Sequence, residues 1–257
     1  MSTPASKGMV LVTGSSTGIG FACRELLAEA GYFVIAGQRS IPLALQEQSG
    51  GRVVTAELDV TQAEHIDRIR DLAAELNEKT PLIGLINNAG VGLNGPFETV
   101  SAGEAKKVLE VNLLGVVAMT TALFPLLKKN DGRIINIGST SGRIPRPGSA
   151  VYGASKAALD SLTSALRMEA QASGVKVSII VPGVVSTPFW EKLGDGDNAE
   201  VSGMHPKQVA RAVLAALQAG EPRRRYIVGK DARFALLLHK LLPLYLSEYL
   251  RTQRYKA

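Results

Sequence analysis

Two polar residues stand one helical turn apart in a segment otherwise built of small residues. Tyr152 and Lys156 are the ends of the sequence YGASK, and an Ala- and Leu-rich amphipathic pattern continues after them. Positions i and i+4 of a helix share a face, so the two side chains can interact. A free tyrosine has a pKa of about 10, and a nearby positive charge lowers it. The pair could therefore do acid–base chemistry, or it could simply share a solvated face.

An alternation of strand-like and helix-like segments must position this pair. Near-continuous apolar runs predict six buried strands, at residues 9–14, 32–37, 52–58, 82–87, 132–138 and 175–181. Helical patterns occur at residues 18–30, 62–79 and 102–127, and the segment with Tyr152 forms another. Buried strands separated by helices indicate a parallel sheet covered on both faces. Since no repeat or linker divides the chain, we expect a single α/β domain over residues 1–257.

The composition fits a soluble globular protein with a sizeable core, because 46% of the 257 residues are hydrophobic and 20% are charged. Cys23 is the single cysteine, so no internal disulfide can form, and its helical setting predicts a core residue. We find no signal sequence and no run of about 20 apolar residues that could span a bilayer. His65, His205 and His239 lack metal-ligand spacing. We expect a cytoplasmic enzyme without a metal site.

The loop after the first predicted strand, TGSSTGIG, has the glycine-rich form that cradles a phosphate. Glycine lets the backbone approach a pyrophosphate closely, and the following helix N-terminus favours an anion. The spacing is G-x-x-x-G-x-G, and no Gly-Lys-Ser/Thr follows as in a P-loop. A Gly- and Ser-rich turn can also merely connect a strand to a helix, but its position at the first strand-to-helix turn favours phosphate binding.

Six motifs, taken together, resemble the short-chain dehydrogenase/reductase family. TGSSTGIG, NNAG, VNLLG, IGS, YGASK and PGVVSTP occur in that family's order and spacing, between about Val10 and Val228. Ser139 lies thirteen residues before Tyr152, as is usual in the family. The resemblance implies a Rossmann-like doubly wound sandwich, with a seven-stranded parallel sheet flanked by helices, and a nicotinamide cofactor.

The resemblance also implies a role for four catalytic residues. Tyr152 would exchange a proton with the alcohol or carbonyl oxygen while hydride moves to or from the nicotinamide. Lys156 would lower the pKa of the phenol, and Ser139 would hydrogen-bond the reacting oxygen. Asn112 is similar to the residue that binds a water leading to Lys156. Without the resemblance, Ser139 would be a strand-end turn residue and Asn112 a polar residue satisfied inside a helix.

The end of the second strand bears on the choice of cofactor. Gln38 stands where a carboxylate would bind the ribose of NAD, and Arg39 follows, which suits the 2′-phosphate of NADP. We therefore favour NADP(H) over NAD(H), although the glycine-rich loop lacks the basic residue that other NADP-dependent members carry. Arg39 could also be a solvated surface charge. The other cofactor-binding residues that the resemblance implies, beside Tyr152 and Lys156, are Gly14, Ser16, Thr17, Gly18, Ile19, Gly20, Asp59, Val60, Asn88, Ala89, Gly90, Pro182, Gly183, Val185 and Thr187.

Two segments near the carboxyl end bear on substrate and partners. The substrate loop of the family would cover residues 183–205, where Phe189 and Trp190 could roof an apolar substrate or anchor the loop to the core. Residues 221–257 hold nine Lys and Arg and three acidic residues, so this end carries the whole net charge of +6. In the extension at residues 230–257, leucines follow helical spacing and Pro243 predicts the end of a helix.

The extension has three interpretations. It resembles a membrane-surface segment, but we rank packing over the substrate cleft or in a subunit interface above contact with a membrane. Our hypothesis is that it helps enclose a lipophilic alcohol or ketone, such as a steroid, retinoid or acyl chain. The run RRR at residues 223–225 has no recognition motif beside it, so we expect no nucleic-acid binding.

The sequence thus predicts an NADP(H)-dependent oxidoreductase that interconverts a secondary alcohol and a ketone. The alternatives are an NAD-dependent alcohol dehydrogenase for a small polyol or hydroxy acid, a non-catalytic NADP(H)-binding regulatory protein, and an isomerase or dehydratase on the same scaffold. Because family members commonly associate through the helices that contain Asn112 and Tyr152, we expect a homodimer or homotetramer. The protein would be cytoplasmic, with peripheral membrane contact a further option.

Overall fold

A seven-stranded parallel sheet with helices on both faces forms the protein. The structure is a computed structural model that describes residues 6–40, 51–189 and 203–256. The strands follow the order β3-β2-β1-β4-β5-β6-β7, and every pair is parallel. They are β1 (Met9–Thr13), β2 (Phe33–Gln38), β3 (Val53–Glu57), β4 (Leu82–Asn87), β5 (Arg133–Ile137), β6 (Lys176–Pro182) and β7 (Arg225–Val228). The predicted doubly wound sandwich is confirmed.

Eight α-helices cover the sheet in the described part of the chain. They are α1 (Gly18–Glu29), α2 (Ala63–Asn77), α3 (Ala102–Leu109), α4 (Gly115–Lys129), α5 (Ala150–Glu169), α6 (Pro206–Gln218), α7 (Lys230–Leu241) and α8 (Leu244–Lys256). A π turn, Glu110–Leu114, joins α3 to α4, so the helix expected at residues 102–127 is continuous but locally widened. Pro243 separates α7 from α8, as its missing N–H predicts.

The alternation of side chains along the strands divides the core into two layers. In β1, Val10 and Val12 join a cluster with α1 and α6, whereas Met9 and Leu11 join one with α2 and α4. Successive residues of a strand point to opposite faces, so a sheet covered on both sides must be apolar on both. Cys23 is fully buried in the first layer, and burial raises the pKa of its thiol to about 12.

One helical stretch has the length and the composition of a membrane-spanning helix. It comprises the 28 residues Ala102–Lys129, and its length and composition are the only features that favour a span. They form α3, the π turn and α4, and their buried side chains include Asn112, Met119, Leu123 and Leu127, the last three of which pack against the sheet. The expectation that no stretch of the chain is long and apolar enough was therefore wrong, although this stretch is a core helix of the fold.

The strand order reverses direction between β1 and β4. The chain runs from β1 outward to β3 on one side and from β4 outward to β7 on the other. The loops that leave the carboxyl ends of β1 and β4 diverge there, which opens a crevice at that edge of the sheet. The predicted motifs TGSSTGIG and NNAG follow β1 and end β4, so the fold brings them together at this crevice.

Candidate active site

Tyr152 and Lys156 lie on the first turns of α5 and face the crevice. The Lys156 Nζ is 5.9 Å from the centre of the Tyr152 ring, and it donates a hydrogen bond of 2.9 Å to the carbonyl oxygen of Ile137 at the end of β5. Lys156 is only 5% exposed, and burial lowers the pKa of its ammonium to about 8. The pair is therefore part of a buried site and not of a solvated helix face.

The pKa of the Tyr152 phenol lies above its ordinary value. Burial raises the pKa of the phenol above its ordinary value, and two effects oppose this: a hydrogen bond with Ser139 and the positive charge of Arg146. Removal of water from around the phenol disfavours the phenolate more strongly than these two neighbours favour it. The predicted lowering of this pKa by Lys156 stays a prediction.

Ser139 begins the turn after β5 and holds its hydroxyl toward Tyr152. Its Oγ accepts a hydrogen bond of 3.1 Å from the Ser141 N–H, and it shares a hydrogen bond with the phenol. Since a hydroxyl has one proton and two lone pairs, Ser139 can donate that proton either to the phenol oxygen or to an oxygen in the crevice. This geometry suits the predicted role of orienting the reacting oxygen.

Asn112 lies in the π turn and is fully buried. Its Oδ1 accepts from the Val91 N–H at 2.8 Å, and its Nδ2 donates to the Val91 carbonyl at 2.9 Å and to the Ser155 Oγ at 3.0 Å. Ser155 in turn donates to the carbonyl of Tyr152 at 2.7 Å. The side chain of Asn112 therefore fastens the π turn to the strand-β4 loop and to α5. The predicted water route to Lys156 stays a prediction.

The glycine-rich loop is shaped for a closely approaching ligand. Gly14 has a φ of +65°, and a Cβ there would lie 2.8 Å from the Cα of Ala89. A Cβ on Gly20 would collide with the Gly14 carbonyl, so only glycine fits where α1 begins. The first turn of α1 contains no acidic residue. Its free N–H groups consequently favour an anion such as a pyrophosphate.

The second strand ends in a buried amide that lacks partners. Gln38 is 1% exposed, and neither its Nε2 nor its Oε1 has a hydrogen-bond partner in the described part of the chain. An unpaired buried polar group costs about 1–3 kcal/mol. Because Gln38 lines the crevice, a ligand that supplies hydroxyl or phosphate oxygens would satisfy it. The exposed Arg39 follows Gln38 at the rim of the same crevice.

Asp59 lies opposite Arg39 at this end of the crevice. Partial burial acts to raise the pKa of its carboxyl, but hydrogen bonds from the N–H and hydroxyl of Thr61, together with the positive charge of Arg39, hold that pKa below its ordinary value. The Asp59 N–H also donates to the His65 ring at 3.1 Å. The predicted adenine-side residue is thus ionised and fixed in place.

A single cavity of about 740 Å³ joins these groups, a volume within the usual range for a cofactor or ligand site. It is lined by Tyr152, Lys156 and Ser139 and by nearly all the predicted cofactor residues: Gly14, Ser16, Thr17, Gly18, Ile19, Arg39, Asp59, Val60, Asn88, Ala89, Gly90, Pro182, Gly183, Val185 and Thr187. Gly20 and Asn112 do not line it; they pack behind its wall. The glycine cradle, the unsatisfied Gln38 amide and the acid-free helix terminus together fit a dinucleotide.

Part of the predicted substrate loop borders the same cavity. Its two ends are held together, since Val185 and Met204 form a parallel bridge, the Ser186 N–H donates to Met204 and the Met204 N–H donates to Val184. The ring centre of Phe189 lies 5.8 Å from that of Tyr152, and Phe189 lines the cavity. This favours the roofing role of Phe189 over a core anchor. Trp190 lies outside the described residues.

Four residues of the site were given no role in the prediction from the sequence. The hydroxyl of Thr13 accepts the N–H groups of Asn88 and Ala89 at 3.0 and 2.9 Å, and Ser155 links Asn112 to Tyr152. Gln38 was read only as a missing acid, and Arg146 was not considered. Thr13 lies in the motif TGSSTGIG and Ser155 in YGASK, so these motifs could have pointed to both residues. Arg146 lies in a loop outside the motifs, and nothing in the sequence indicated its role.

The carboxyl-terminal helices contact the loops that border the cavity. The Asp231 carboxylate in α7 accepts from the Val184 N–H at 2.9 Å, and the Arg251 guanidinium in α8 donates to the Pro145 carbonyl at 2.6 Å. Among the described residues, however, none after Phe189 lines the cavity. The hypothesis that the extension itself encloses the substrate therefore has no support in the described tail.

Two of the histidines and two arginines of the RRR run have structural partners. His205 caps α6 by accepting from the Lys207 N–H, and His239 contacts the Ser247 hydroxyl. In the RRR run, Arg225 pairs with Asp160 at 2.6 Å and Arg224 donates to Ser164 at 2.8 Å. These two arginines thus fasten β7 to α5.

Comparison with known proteins identifies the family. The short chain dehydrogenase family model matches residues 8–198. Retinol dehydrogenase 5 of Mus musculus is 31% identical over 94% of this chain and 87% of its own length. The 17-beta-hydroxysteroid dehydrogenase type 6 of Bos taurus is also 31% identical, over 95% of this chain and 87% of its own length. A short chain dehydrogenase from Burkholderia cenocepacia J2315, solved in complex with NADP, superposes with a TM-score of 0.81 at 31% identity and covers 94% of this chain and 96% of that one.

The fold, the Ser139–Tyr152–Lys156 group in the cavity and the dinucleotide cradle define a nicotinamide-dependent oxidoreductase of the α/β type. With a family match over most of its length, the chain belongs to the short-chain dehydrogenase/reductase family. The family resemblance inferred from the six motifs is confirmed.

Proposed function

We propose that this protein is an NADP(H)-dependent oxidoreductase that interconverts a secondary alcohol and a ketone on a lipophilic substrate. The observation that carries the proposal is the Tyr152 phenol, which shares a hydrogen bond with Ser139 and stands near the Lys156 ammonium inside one cavity. Apolar side chains, among them Leu93, Val111 and Phe189, form a further part of the cavity wall. A retinol dehydrogenase and a hydroxysteroid dehydrogenase among the relatives support a steroid, retinoid or acyl-type substrate.

The chain supplies acid–base chemistry and orientation. A bound nicotinamide supplies or accepts the hydride. In the reductive direction the Ser139 hydroxyl donates a hydrogen bond to the ketone oxygen, and Tyr152 gives its proton to that oxygen as the alcohol forms. The phenolate left behind is stabilised by Ser139, by the ammonium of Lys156 and by the charge of Arg146. In oxidation Tyr152 takes the alcohol proton back.

The preference for NADP(H) rests on Gln38 and Arg39. The planar guanidinium of Arg39 can bind a 2′-phosphate through paired hydrogen bonds. Gln38 is neutral, so it does not repel that phosphate as a carboxylate would, and its unsatisfied amide can donate to it. The NADP complex of the Burkholderia relative supports the same choice.

Titration calorimetry with NADPH and NADH tests the cofactor preference. We expect tighter binding of NADPH by the wild-type protein, and an Arg39→Ala variant that loses about 10- to 100-fold of its NADPH affinity while NADH affinity stays within a few-fold. Gln38→Asp should lower NADPH affinity and raise NADH affinity. Arg211→Ala is the matched control, since Arg211 is an exposed arginine on α6. A wild-type preference for NADH, or unchanged selectivity in Arg39→Ala, would show that the proposed preference is wrong.

We also propose a homo-oligomer assembled through α4 and α5. Large apolar side chains are exposed on the helices that precede and form this region: Leu109 is 39% exposed, Leu114 56% and Val117 40%. Burial of such a patch between subunits would remove it from water. Light scattering should give a mass at least twice that of the monomer, and a monomeric protein at micromolar concentration would exclude this assembly.

A further inference from the structure

The carboxyl-terminal helices have an inner face that contacts the protein and an outer face that does not. The inner face holds Ala232 and Ser247, which are 1% and 7% exposed. The outer stripe is defined by apolar residues that are each at least 39% exposed, namely Phe234, Leu237, Leu238 and Leu241 on α7 and Leu244, Tyr245 and Tyr249 on α8. The four α7 residues follow the spacing i, i+3, i+4, i+7, so they form one helical face.

Exposure of this kind requires a partner. Phe234 is 67% exposed, Leu241 70% and Tyr245 74%, and monomeric proteins rarely leave a contiguous apolar patch of this size open to water. From the sequence we ranked membrane contact below packing over the substrate cleft or in a subunit interface, because so apolar a tail usually packs on its own protein. Within the chain, however, only the inner face of the two helices is packed.

The charges around the outer stripe indicate which partner fits. Lys230, Arg233 and Lys240 lie three or four positions from stripe residues and so border the stripe. The acidic residues of the two helices are Asp231, whose carboxylate accepts from the Val184 N–H, and the exposed Glu248, which lies four positions from Leu244 and also borders the stripe. With three basic residues against Glu248, the exposed face combines apolar side chains with a net basic border.

A second copy of the chain does not complement this face. A two-fold contact would place the same basic border against itself. A contact with the rest of another copy finds no net charge of opposite sign, because residues 1–220 are neutral. A bilayer with anionic lipids offers both requirements at once: an acyl boundary for the leucines and a negative surface for the lysines. Tyrosine is also a residue that prefers the headgroup region.

We propose that the outer stripe docks the protein on an anionic lipid surface. The two helices that carry the stripe are fastened to the cavity loops through Asp231–Val184 and Arg251–Pro145. Residues Val184 and Arg146, in those same loops, line the cavity. Docking would thus hold the substrate cavity next to the phase in which a lipophilic alcohol is dissolved; this consequence rests on the proposed function, whereas the docking itself does not.

Co-sedimentation of the full chain with vesicles tests the proposal, in the absence of substrate and cofactor. The probes are vesicles of phosphatidylcholine alone and of phosphatidylcholine mixed with phosphatidylglycerol. We expect binding to the mixed vesicles that weakens at high salt. Leu237→Ser combined with Leu241→Ser should lower the bound-to-free ratio about tenfold or more, and Lys230→Gln combined with Lys240→Gln should do the same on mixed vesicles only.

Phe97→Ser is the matched control, because Phe97 is as exposed as Leu241, 70% in each case, but lies after β4. Circular dichroism and NADPH binding should be unchanged in all these variants, since the substituted side chains are exposed. No binding by the wild-type protein, or equal binding by the leucine variant, would overturn the proposal. It would also be overturned if, without lipid, the wild-type protein formed an oligomer that the leucine variant dissociates, since the stripe would then be a subunit interface.

The docking proposal and the proposed function can each be refuted without the other. Loss of vesicle binding leaves ketone reduction untouched, because neither Leu237 nor Leu241 lines the cavity. Vesicle binding without ketone reduction would refute the proposed function alone.

Discussion

At the scale of single residues, the chemistry depends on how the Tyr152 phenol gains and loses charge inside the cavity. Burial raises its pKa, and the Ser139 hydrogen bond and the Arg146 charge act against burial. Arg146 lines the same cavity from the loop before α5. An arginine cannot lose its charge at physiological pH, so it favours the phenolate throughout the working range. The sequence motif supplies the lysine, but the loop supplies this second cation.

Arg146→Gln should shift the pH dependence of alcohol oxidation. Loss of the positive charge raises the pKa of Tyr152 further, so the acid-side limb of kcat/KM, along which oxidation increases as the phenol loses its proton, should move up by about 0.5–1 pH unit. Arg143→Gln is a fitting control, because Arg143 pairs with Asp160 and does not line the cavity. A pH profile that is unchanged in Arg146→Gln would remove Arg146 from the acid–base machinery.

Lys156→Met should abolish turnover and yet stabilise the fold near neutral pH. The pKa of Lys156 falls from 10.5 to about 8 on burial, so below pH 8 the folded protein holds an unfavourable buried ammonium. Stability therefore rises with pH between about 8 and 10.5, where the unfolded state binds the proton and the folded state does not. We expect the variant to gain on the order of 1–3 kcal/mol at pH 7, after allowance for the unpaired Ile137 carbonyl.

Denaturant unfolding at pH 7 and at pH 9.5 measures this difference, which should shrink at the higher pH. Lys128→Met, at an exposed position on α4, should show no such effect. A Lys156→Met variant that is less stable than wild type at pH 7 would contradict the interpretation that the lysine is retained for catalysis against stability.

At the scale of elements, the π turn between α3 and α4 is the least regular part of the site and among its most firmly bonded. Asn112 makes three hydrogen bonds from its side chain, two of them to the backbone of Val91. A π turn is often found at functional sites, because it inserts an extra residue and redirects a side chain. Here the redirected side chain ties the helix to the end of β4 and to α5.

Asn112→Ala should lower the free energy of unfolding by about 2–4 kcal/mol, since it leaves the Val91 N–H and carbonyl without partners. Urea unfolding measures the loss. Leu114→Ala, in the same turn but 56% exposed, should cost far less. Equal losses in the two variants would show that the turn depends on helix propensity and not on the Asn112 bonds.

The sequence predicted some elements and residues better than others for physical reasons. Six strands were found within one or two residues of their bounds, because five of them are buried on both faces and are apolar throughout. The prediction that the strand at residues 52–58 is buried was wrong, since β3 is an edge strand with no buried residue. β7 was expected only from the family resemblance, since its arginine-rich start hides the pattern. The motif glycines and Tyr152 could be singled out because their predicted roles demand particular residue types, and most of them line one cavity. The burial that raises the pKa of Tyr152 could not be predicted, because it depends on packing that no local spacing reveals.

At the scale of the whole molecule, the rate at which the single cysteine is modified measures how often the fold opens. Cys23 is fully buried on α1, beneath the dinucleotide cradle, and its pKa of about 12 leaves almost no thiolate in the native state. Reagents should reach it only when the fold opens. Any ligand that binds the folded protein should then protect it in proportion to affinity.

Alkylation of Cys23 by iodoacetamide should therefore be slow in native protein and fast in urea. NADPH at about 100 times its dissociation constant should slow labelling about 100-fold, since it lowers the unfolded population by that factor. NADH at the same concentration should protect less. Rapid stoichiometric labelling of the native protein, with the fold retained, would contradict the buried position of Cys23.

The most direct test of the account is hydride transfer itself. The protein is incubated with NADPH deuterated at C4, in each of the two stereochemical forms, and with a panel of ketones, namely a 17-ketosteroid, a retinoid that carries a ring ketone and a medium-chain 3-ketoacyl ester; mass spectrometry then locates the label. We expect one stereochemical form of the cofactor to deliver deuterium to the carbinol carbon of at least one product. Tyr152→Phe should lower this transfer by about 100-fold or more. Deuterium absent from every product, or transfer that survives in Tyr152→Phe, would contradict it.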